Sequence, residues 1–300
     1  MNRRSALLTD LYQLTMAYGY FREQKAEQRV VFDVFFRQLP PFTGYVIVAG
    51  LDQIVDYLQN LHFTEDDLSY LRSLNLLNEE VLQLLRDCRF TGDVWAIPEG
   101  TPVFPQEPLL RVCARSVEAQ IIEPAILNMI NFQSLIATKS CRINLAAKGD
   151  PVMEFGLRRA HGPDAGVYGA RAAIIGGCVS TSNVRTGQLF DVPVSGTMAH
   201  AWVLSFPSEL ESFRAYARAF PRDCLLLVDT YNVLRSGLPN AIKVGLELRA
   251  QGYELRGIRI DSGDLAYLSR QARKILDDAG FPDAIIVASN DLDEETVQDI

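Results

Sequence analysis

Leu225-Leu226-Leu227-Val228 runs straight into Asp229-Thr230-Tyr231-Asn232. An apolar run of strand length stops at a cluster of polar, reactive side chains. Upstream, Val152-Met153 meets Glu154-Phe155-Gly156-Leu157-Arg158-Arg159, and Ala172 to Val179 meets Ser180-Thr181-Ser182-Asn183. Val192-Pro193-Val194 meets Ser195-Gly196-Thr197-Met198-Ala199-His200. Downstream, Leu255 to Ile260 ends at Asp261-Ser262-Gly263-Asp264, and Ile285 to Ala288 ends at Ser289-Asn290-Asp291. The clusters recur roughly every 20 to 30 residues, about one βα unit. A strand buried on both faces reads as a continuous apolar run. Reactive side chains at the C-terminal ends of such strands are the pattern of an α/β barrel active site. Gly, Asn, Asp and Ser also dominate turns, but Arg, His and Tyr at strand ends are not turn chemistry. The predicted class is α/β, with a TIM-like barrel over 141–300. Six units fall short of the roughly eight of a closed barrel, and Asp293 to Ile300 reads as the opening of a helix. The barrel is therefore expected to be incomplete within these residues.

Outward from that region, residues 117–147 read as one long helix leading into the first barrel strand. A domain boundary falls around 115–150, taken at 140/141. Leu7, Leu8, Leu11, Leu14 and Met16 fall on or near one face of a predicted helix over 6–20. Arg29 to Phe36 reads as a strand and Gly50 to Leu61 as a helix. Thr64 with Asp67 makes a near capping box. The Gly- and Pro-rich segment 89–113, with Asp93 to Ile97 and Leu109 to Val112 as short strands, reads as part of a small β-rich domain.

The chain of 300 residues has an apolar content of 48%, a charged content of 22% and a net charge of −8. Those are the proportions of a soluble globular protein. The acidic balance argues against a nucleic-acid or anionic-membrane surface, though not against a basic pocket for a small anion. Arg158, Arg159, Arg171 and Arg185 make 155–185 such a region, suited to a phosphorylated or carboxylated substrate. The cysteines at 88, 113, 141, 178 and 224 are odd in number and contain no CxxC. Reduced core thiols in a cytoplasmic protein are the expectation, with no zinc site or other metal ligand assigned. Met1-Asn2-Arg3-Arg4 is followed by Asp10 and Gln13 rather than an apolar signal segment, and no run approaches the ~18 apolar residues of a membrane helix.

Five stretches taken together resemble the nicotinate phosphoribosyltransferase family, among the type II phosphoribosyltransferases. They are Thr9-Asp10-Leu11-Tyr12-Gln13-Leu14-Thr15-Met16 with Val34-Phe35-Phe36-Arg37, then Glu154 to Arg159, Gly196 to His200, and Arg259 to Asp264. Each is weak alone; their joint occurrence in this order is specific. The resemblance implies a smaller α/β sandwich over 1–140, an irregular barrel over 141–300 and a homodimer with a shared active site. It implies a reaction of nicotinate with 5-phosphoribosyl 1-diphosphate that yields nicotinate mononucleotide and diphosphate in NAD biosynthesis. ATP is the expected co-substrate, hydrolysed through a phosphohistidine, with Mg2+ accompanying ATP and phosphoribosyl diphosphate. The family's 5′-phosphate loop is expected beyond residue 300.

By that resemblance His200 takes the phosphate from ATP; its position alone fits a structural histidine equally well. His62 reads as exposed in a turn and His161 as part of a loop. Arg158 is the candidate for diphosphate or 5′-phosphate, since a guanidinium fork matches phosphate oxygens bidentately; a rim salt bridge is the alternative, and Arg159 fits that alternative better. The resemblance assigns Tyr12, reaching in from the other subunit, and Phe155 to clamp the pyridine ring; core packing is the competing role. Arg259 is the candidate partner of the nicotinate carboxylate. Asp261 is expected to accept from the ribose hydroxyls, with Ser262 and Gly263 in the same substrate loop and Asp264 free to cap the next helix. Asp229 is expected to orient His200 or to hold Mg2+ on the diphosphate. Nicotinamide-using relatives carry an aspartate where this chain has Ser182; a serine hydroxyl can donate to a carboxylate that an aspartate repels. The competing functions are a quinolinate- or nicotinamide-type phosphoribosyltransferase, and a non-catalytic barrel that binds ribose phosphates. A barrel aldolase or isomerase is disfavoured because no Lys occupies any of the six clusters.

Overall fold

The computed structural model describes residues 5–39 and 43–300. The chain forms two compact units, one of residues 1–144 with 151–194 and the other of 145–150 with 195–300. These units do not follow the boundary expected at 140/141.

In the first unit, α1 (Leu11–Arg22) precedes β1 (Arg29–Val34), β2 (Val46–Ile47), α2 (Leu51–Gln59), α3 (Glu65–Ser73) and α4 (Glu79–Asp87). Then come β3 (Asp93–Ala96), β4 (Pro102–Val103), β5 (Leu110–Arg115) and the long α5 (Ser116–Ala146). After these follow β6 (Met153–Glu154), α6 (Pro163–Ile175), β7 (Ser180–Thr181) and α7 (Val184–Phe190). An antiparallel sheet runs β1-β5-β3, β2 pairs with β4, and β6 lies parallel to β7. The capping box at Thr64 is complete, with both reciprocal hydrogen bonds to Asp67. Buried hydroxyls of α5 serve the backbone of the β2 segment: Thr138 Oγ1 accepts from Ile47 N at 2.9 Å and Ser134 Oγ from Ala49 N at 3.0 Å. A buried N–H left without an acceptor costs about 1–3 kcal/mol, so these polar residues inside a long apolar helix are structural.

In the second unit, α8 (His200–Leu204) and α9 (Glu209–Ala219) precede β8 (Leu225–Leu227). A π-helical turn (Val233–Gly237) opens into α10 (Leu238–Arg249), followed by β9 (Gly257–Ile260), α11 (Leu265–Asp278), β10 (Ile285–Ala288) and α12 (Glu294–Asp299). The three strands are parallel in the order β10-β9-β8. Leu226, Val228, Ile258 and Ile260 share one buried cluster with Phe213, Leu238, Val244, Ala272 and Leu276 of the surrounding helices. Each large apolar side chain buried there contributes about 1.5–3 kcal/mol. Buried strands of a parallel sheet read as unbroken apolar runs, which is why β8 and β9 were legible; β10 is only half-buried.

Two expected strands differ. Ala172 to Ile175 belongs to α6, and only Ser180–Thr181 is extended. Pro163 stands in the first turn of α6, and Ala170, Ala172 and Ala173 are buried. A short apolar run rich in Ala suits a buried helix as well as a strand, and periodicity does not separate them. Val192 to Val194 makes only an isolated bridge, Val194 with Thr181. The first helix begins at Leu11 rather than residue 6, because Asp10 holds an extended backbone at its N-cap. Among the described residues no helix is long and apolar enough to cross a membrane.

Candidate active site

The register of the second unit's sheet aligns Leu227 with Arg259 and Arg259 with Val287. Counting two residues on, Asp229, Asp261 and Ser289 leave the three strands at one level. The ladder carries on just past the strands: Val228 N donates to Arg259 O at 3.1 Å and Ser289 N to Ile260 O at 3.0 Å. Side chains repeat every second residue along a strand, so three separate clusters arrive together at the C-terminal edge.

Asp229 is the buried hub of this edge. Its Oδ1 lies 3.1 Å from His200 Nε2, and the side chains are 1% and 39% exposed respectively. Its Oδ2 accepts from Asp261 N at 3.1 Å and from Ser262 Oγ at 2.5 Å. Both oxygens thus have protein partners, an arrangement that orients the imidazole and holds the 261–262 loop. His200 begins α8 rather than ending a strand, but the side chain still meets the carboxylate that the sequence suggested for it.

Arg259 is 12% exposed and faces Asp261, whose Oδ1 accepts from its Nη2 at 2.8 Å. Arg259 Nε donates to Ser289 Oγ at 2.7 Å and Nη1 to Met198 O at 3.4 Å. Ser289 Oγ in turn donates to Asp261 Oδ1. Burial pushes the Asp261 carboxyl up, but the hydrogen bonds from Ser289 and Arg259, with the charges of Arg259 and His200, outweigh it and hold the group below its usual value. Gly263 has φ +85°, a left-handed turn that a Cβ would strain, and it carries the loop into α11. Asp264 caps that helix, accepting from Tyr267 N at 2.9 Å.

The first unit holds the other predicted residues. Gln13 of α1 is buried: its amide oxygen accepts from Gln120 Nε2, and its Nε2 donates to Glu123 Oε2 at 2.8 Å. Thr9 Oγ1 donates to Ile121 O at 3.0 Å. The Thr9–Met16 motif therefore docks α1 through its polar residues and leaves Tyr12 exposed. Tyr12 borders an open groove of about 920 Å3 together with Asp10, Phe35, Arg37 and Asn128. Phe155 is half-buried in the loop after β6. Arg158 is exposed, and its side chain makes no hydrogen bond or ion pair among the described residues. Arg171, by contrast, forms a bidentate pair with Glu99 at 2.9 and 2.7 Å, and Arg185 bonds Gln188 at 2.6 Å. The basic stretch 155–185 is thus less available to an anion than its sequence indicates. Ser182 N donates to Glu154 O at 2.9 Å, and its side chain is half-buried. His62 and His161 are both exposed.

Two residues escaped the sequence reading. Ser289 lay in the sixth cluster without a role; the signal for it was the cluster itself. Glu154 opened the second quoted motif, and its carboxylate accepts from Thr181 Oγ1 at 2.6 Å and from Gly156 N. It fixes the loop that carries Phe155 and Arg158. Cys88, Cys178 and Cys224 are buried, and all five cysteines are free. Burial pushes the Cys224 thiol up to about 12 and the Cys88 thiol up to about 11, so neither is a nucleophile at neutral pH.

The sheet edge defines an α/β protein with an acid–histidine site at its C-terminal strand ends. Residues 7–131 match the family described as nicotinate phosphoribosyltransferase (NAPRTase) N-terminal domain. The nicotinate phosphoribosyltransferase of Bacillus subtilis is 50% identical over 295 residues, which are 98% of this chain and 60% of that protein. The crystal structure of human nicotinic acid phosphoribosyltransferase superposes with a TM-score of 0.90 at 34% identity, covering 97% of this chain and 69% of the human one. A nicotinate-nucleotide pyrophosphorylase from Pyrococcus furiosus, at 24% identity and a TM-score of 0.80, shares the fold, with 99% of this chain and 69% of that one covered. The chain belongs to the nicotinate phosphoribosyltransferase family. It spans about 60% of the length of the Bacillus subtilis relative.

Proposed function

We propose that the protein joins nicotinate to 5-phosphoribosyl 1-diphosphate, forming nicotinate mononucleotide and diphosphate, with ATP hydrolysis coupled through a phosphohistidine at His200. The observation that carries this reading is the row of Asp229, Asp261 and Ser289 at one sheet edge, with His200 bonded to Asp229 and Arg259 bonded to Asp261. In the reaction the pyridine nitrogen forms a bond to ribose C1 as the C1–O bond to diphosphate breaks. The ribosyl group passes through an oxocarbenium-like state and the electron pair leaves with the diphosphate. Catalysis then consists of holding the polyanion, fixing the ribose and presenting the ring in line. Asp261, kept ionised, accepts from the ribose hydroxyls. Arg259 and Ser182 read the nicotinate carboxylate, Arg158 meets phosphate, and Phe155 with the partner subunit's Tyr12 sandwiches the ring. Ser262 and Gly263 line the same substrate loop.

Phosphorylation of His200 moves the ATP γ-phosphoryl group to a ring nitrogen with release of ADP; water later takes the phosphoryl group as inorganic phosphate. Asp229 steadies the imidazole through Nε2, as a carboxylate behind a reacting histidine does. Mg2+ enters as the companion of the polyphosphate substrates. Among the described residues no cluster of three or more His, Cys, Asp or Glu is placed to hold a metal ion. The irregular barrel, the homodimer with a shared site and a cytoplasmic setting belong to the same reading; the parallel strands of each unit support the barrel, and the other two rest on family membership alone.

The test is product formation by the full gene product from nicotinate and phosphoribosyl diphosphate, with and without ATP. Nicotinate mononucleotide is expected in both cases, with a higher yield when ATP is hydrolysed. Binding of phosphoribosyl diphosphate without any nucleotide product would point instead to a binding protein.

A further inference from the structure

Ser289 touches both members of the Arg259–Asp261 pair. It accepts from Arg259 Nε at 2.7 Å and donates to Asp261 Oδ1, the same oxygen that takes Arg259 Nη2 at 2.8 Å. Asp261 Oδ1 therefore has two donors, whereas Oδ2 accepts no hydrogen bond among the described residues. A carboxylate offers about four lone-pair sites, so the crowding of one oxygen decides which one is presented outward. The serine reaches this position because Ser289 N donates to Ile260 O at 3.0 Å, carrying the parallel ladder of β9 and β10 past the last paired residue. Arg259 extends from β9, the middle strand of the three, and is only 12% exposed. A buried guanidinium that loses an acceptor turns toward whatever remains, here the carboxylate itself.

We propose that Ser289 is a positioning residue of this site: its hydroxyl bridges Arg259 Nε and Asp261 Oδ1, fixing the plane of the guanidinium and turning Asp261 Oδ2 toward the ribose. The inference rests on the proposed function for what Asp261 meets, but the bridge itself belongs to the ligand-free protein. Serine supplies the required pair of roles in one atom, accepting from a cation and donating to an anion. Alanine offers neither, and threonine keeps both.

The kinetic test uses the full gene product. Ser289→Ala is expected to lower kcat/KM for phosphoribosyl diphosphate about tenfold or more while the protein stays folded at the assay temperature by circular dichroism, whereas Ser289→Thr stays within about threefold. In an Asp261→Ala background, Ser289→Ala is expected to cost less than about threefold further, because the serine acts largely through the carboxylate. An equal loss in both backgrounds, or a Thr variant as poor as Ala, overturns the proposal. A second readout needs no catalysis. Solvent exchange of the Arg259 Nε–H, followed by 15N NMR, is expected to quicken at least about tenfold in Ser289→Ala and to stay near wild type in Ser289→Thr. Unchanged exchange in Ser289→Ala refutes the bridge. Should wild type form no nicotinate mononucleotide at all, the proposed function fails, and the exchange measurement alone decides the role of Ser289.

Discussion

Asp229 holds His200 with one carboxylate oxygen, Oδ1 to Nε2 at 3.1 Å, and the 261–262 loop with the other. A single buried side chain thus links the candidate phosphate acceptor to the candidate ribose loop. His200→Ala is expected to abolish ATPase activity and ATP stimulation of nucleotide formation. Asp229→Asn keeps the shape but removes the charge. Loss of a charge-assisted hydrogen bond worth about 1.5–3 kcal/mol corresponds to at least about tenfold in labelling rate. Acid-labile phosphoryl label after ATP treatment is the measurement; label retained on His200→Ala would place the phosphate elsewhere.

Tyr12 stands exposed on a helix whose polar residues are used for docking. Its aromatic face is therefore expected to serve a second copy of the chain. Tyr12→Ala and Arg259→Ala chains, each inactive alone, should recover activity when mixed, because one site of the mixed dimer carries neither lesion. Absence of recovery in dimers shown by mass spectrometry to be mixed would count against a shared site.

Arg259→Ala and Ser182→Asp are expected to lower efficiency with nicotinate far more than any residual turnover of nicotinamide. Truncating one partner of a buried charge pair costs about 2–5 kcal/mol, or roughly thirty-fold to several-thousand-fold. Arg259 also bonds Asp261, so its loss disturbs the ribose site as well. The ratio of efficiencies for acid and amide cancels that common part. An unchanged ratio in both variants would move the specificity argument to Arg158 and Asn183.

Glu209 opens α9 as a buried acid, with Oε2 accepting from Asn240 Nδ2 at 2.8 Å and Oε1 without a hydrogen bond among the described residues. Burial pushes its carboxyl above the ordinary 4.5, against the pull of the Asn240 hydrogen bond and of the nearby Ser236 hydroxyl. A raised folded-state value means that the neutral form is favoured in the native protein. Its contribution is fully present below 4.5 and is lost as the pH rises through the folded value. Glu209→Gln should therefore melt above wild type at neutral pH, and the gap should close as the pH is lowered. A gap that stays constant in melting curves across that range would contradict this.

Gly237 ends the π-helical turn, and a Cβ there would collide with Val228 O, one residue before Asp229. Backbone cannot move aside as a flexible side chain can, and overpacking of this kind costs about 1–3 kcal/mol, at times more. Gly237→Ala is expected to lower stability in urea melts by that order and to weaken His200 phosphorylation by shifting Asp229. Retained stability with full labelling would show that the turn adapts.

The runs at Leu225 and Leu255 were legible because their strands are buried, leaving no polar alternation; the run at Ile285 is only half-buried and was legible from its β-branched residues. The run from Ala172 misled because a buried helix is equally apolar. Thr64, Asp264 and Gln13 show the two limits of local reading. Both caps follow from a spacing of three residues along the chain. The buried amide cluster of Gln13 depends on a helix more than a hundred residues away, with Gln120 and Glu123.

From residue order alone came the class of fold, the family resemblance and the identity of the reactive side chains, because apolar runs and strand-end chemistry are local properties. Only the tertiary structure decided which of those side chains meet. The register of β8, β9 and β10 brings Asp229, Asp261 and Ser289 to one level, and pairing between distant strands has no local signal. Whether an arginine is engaged is equally non-local. Arg171 meets Glu99, Arg259 meets Ser289, and Arg158 faces solvent, distinctions set by packing partners that lie far apart in the chain.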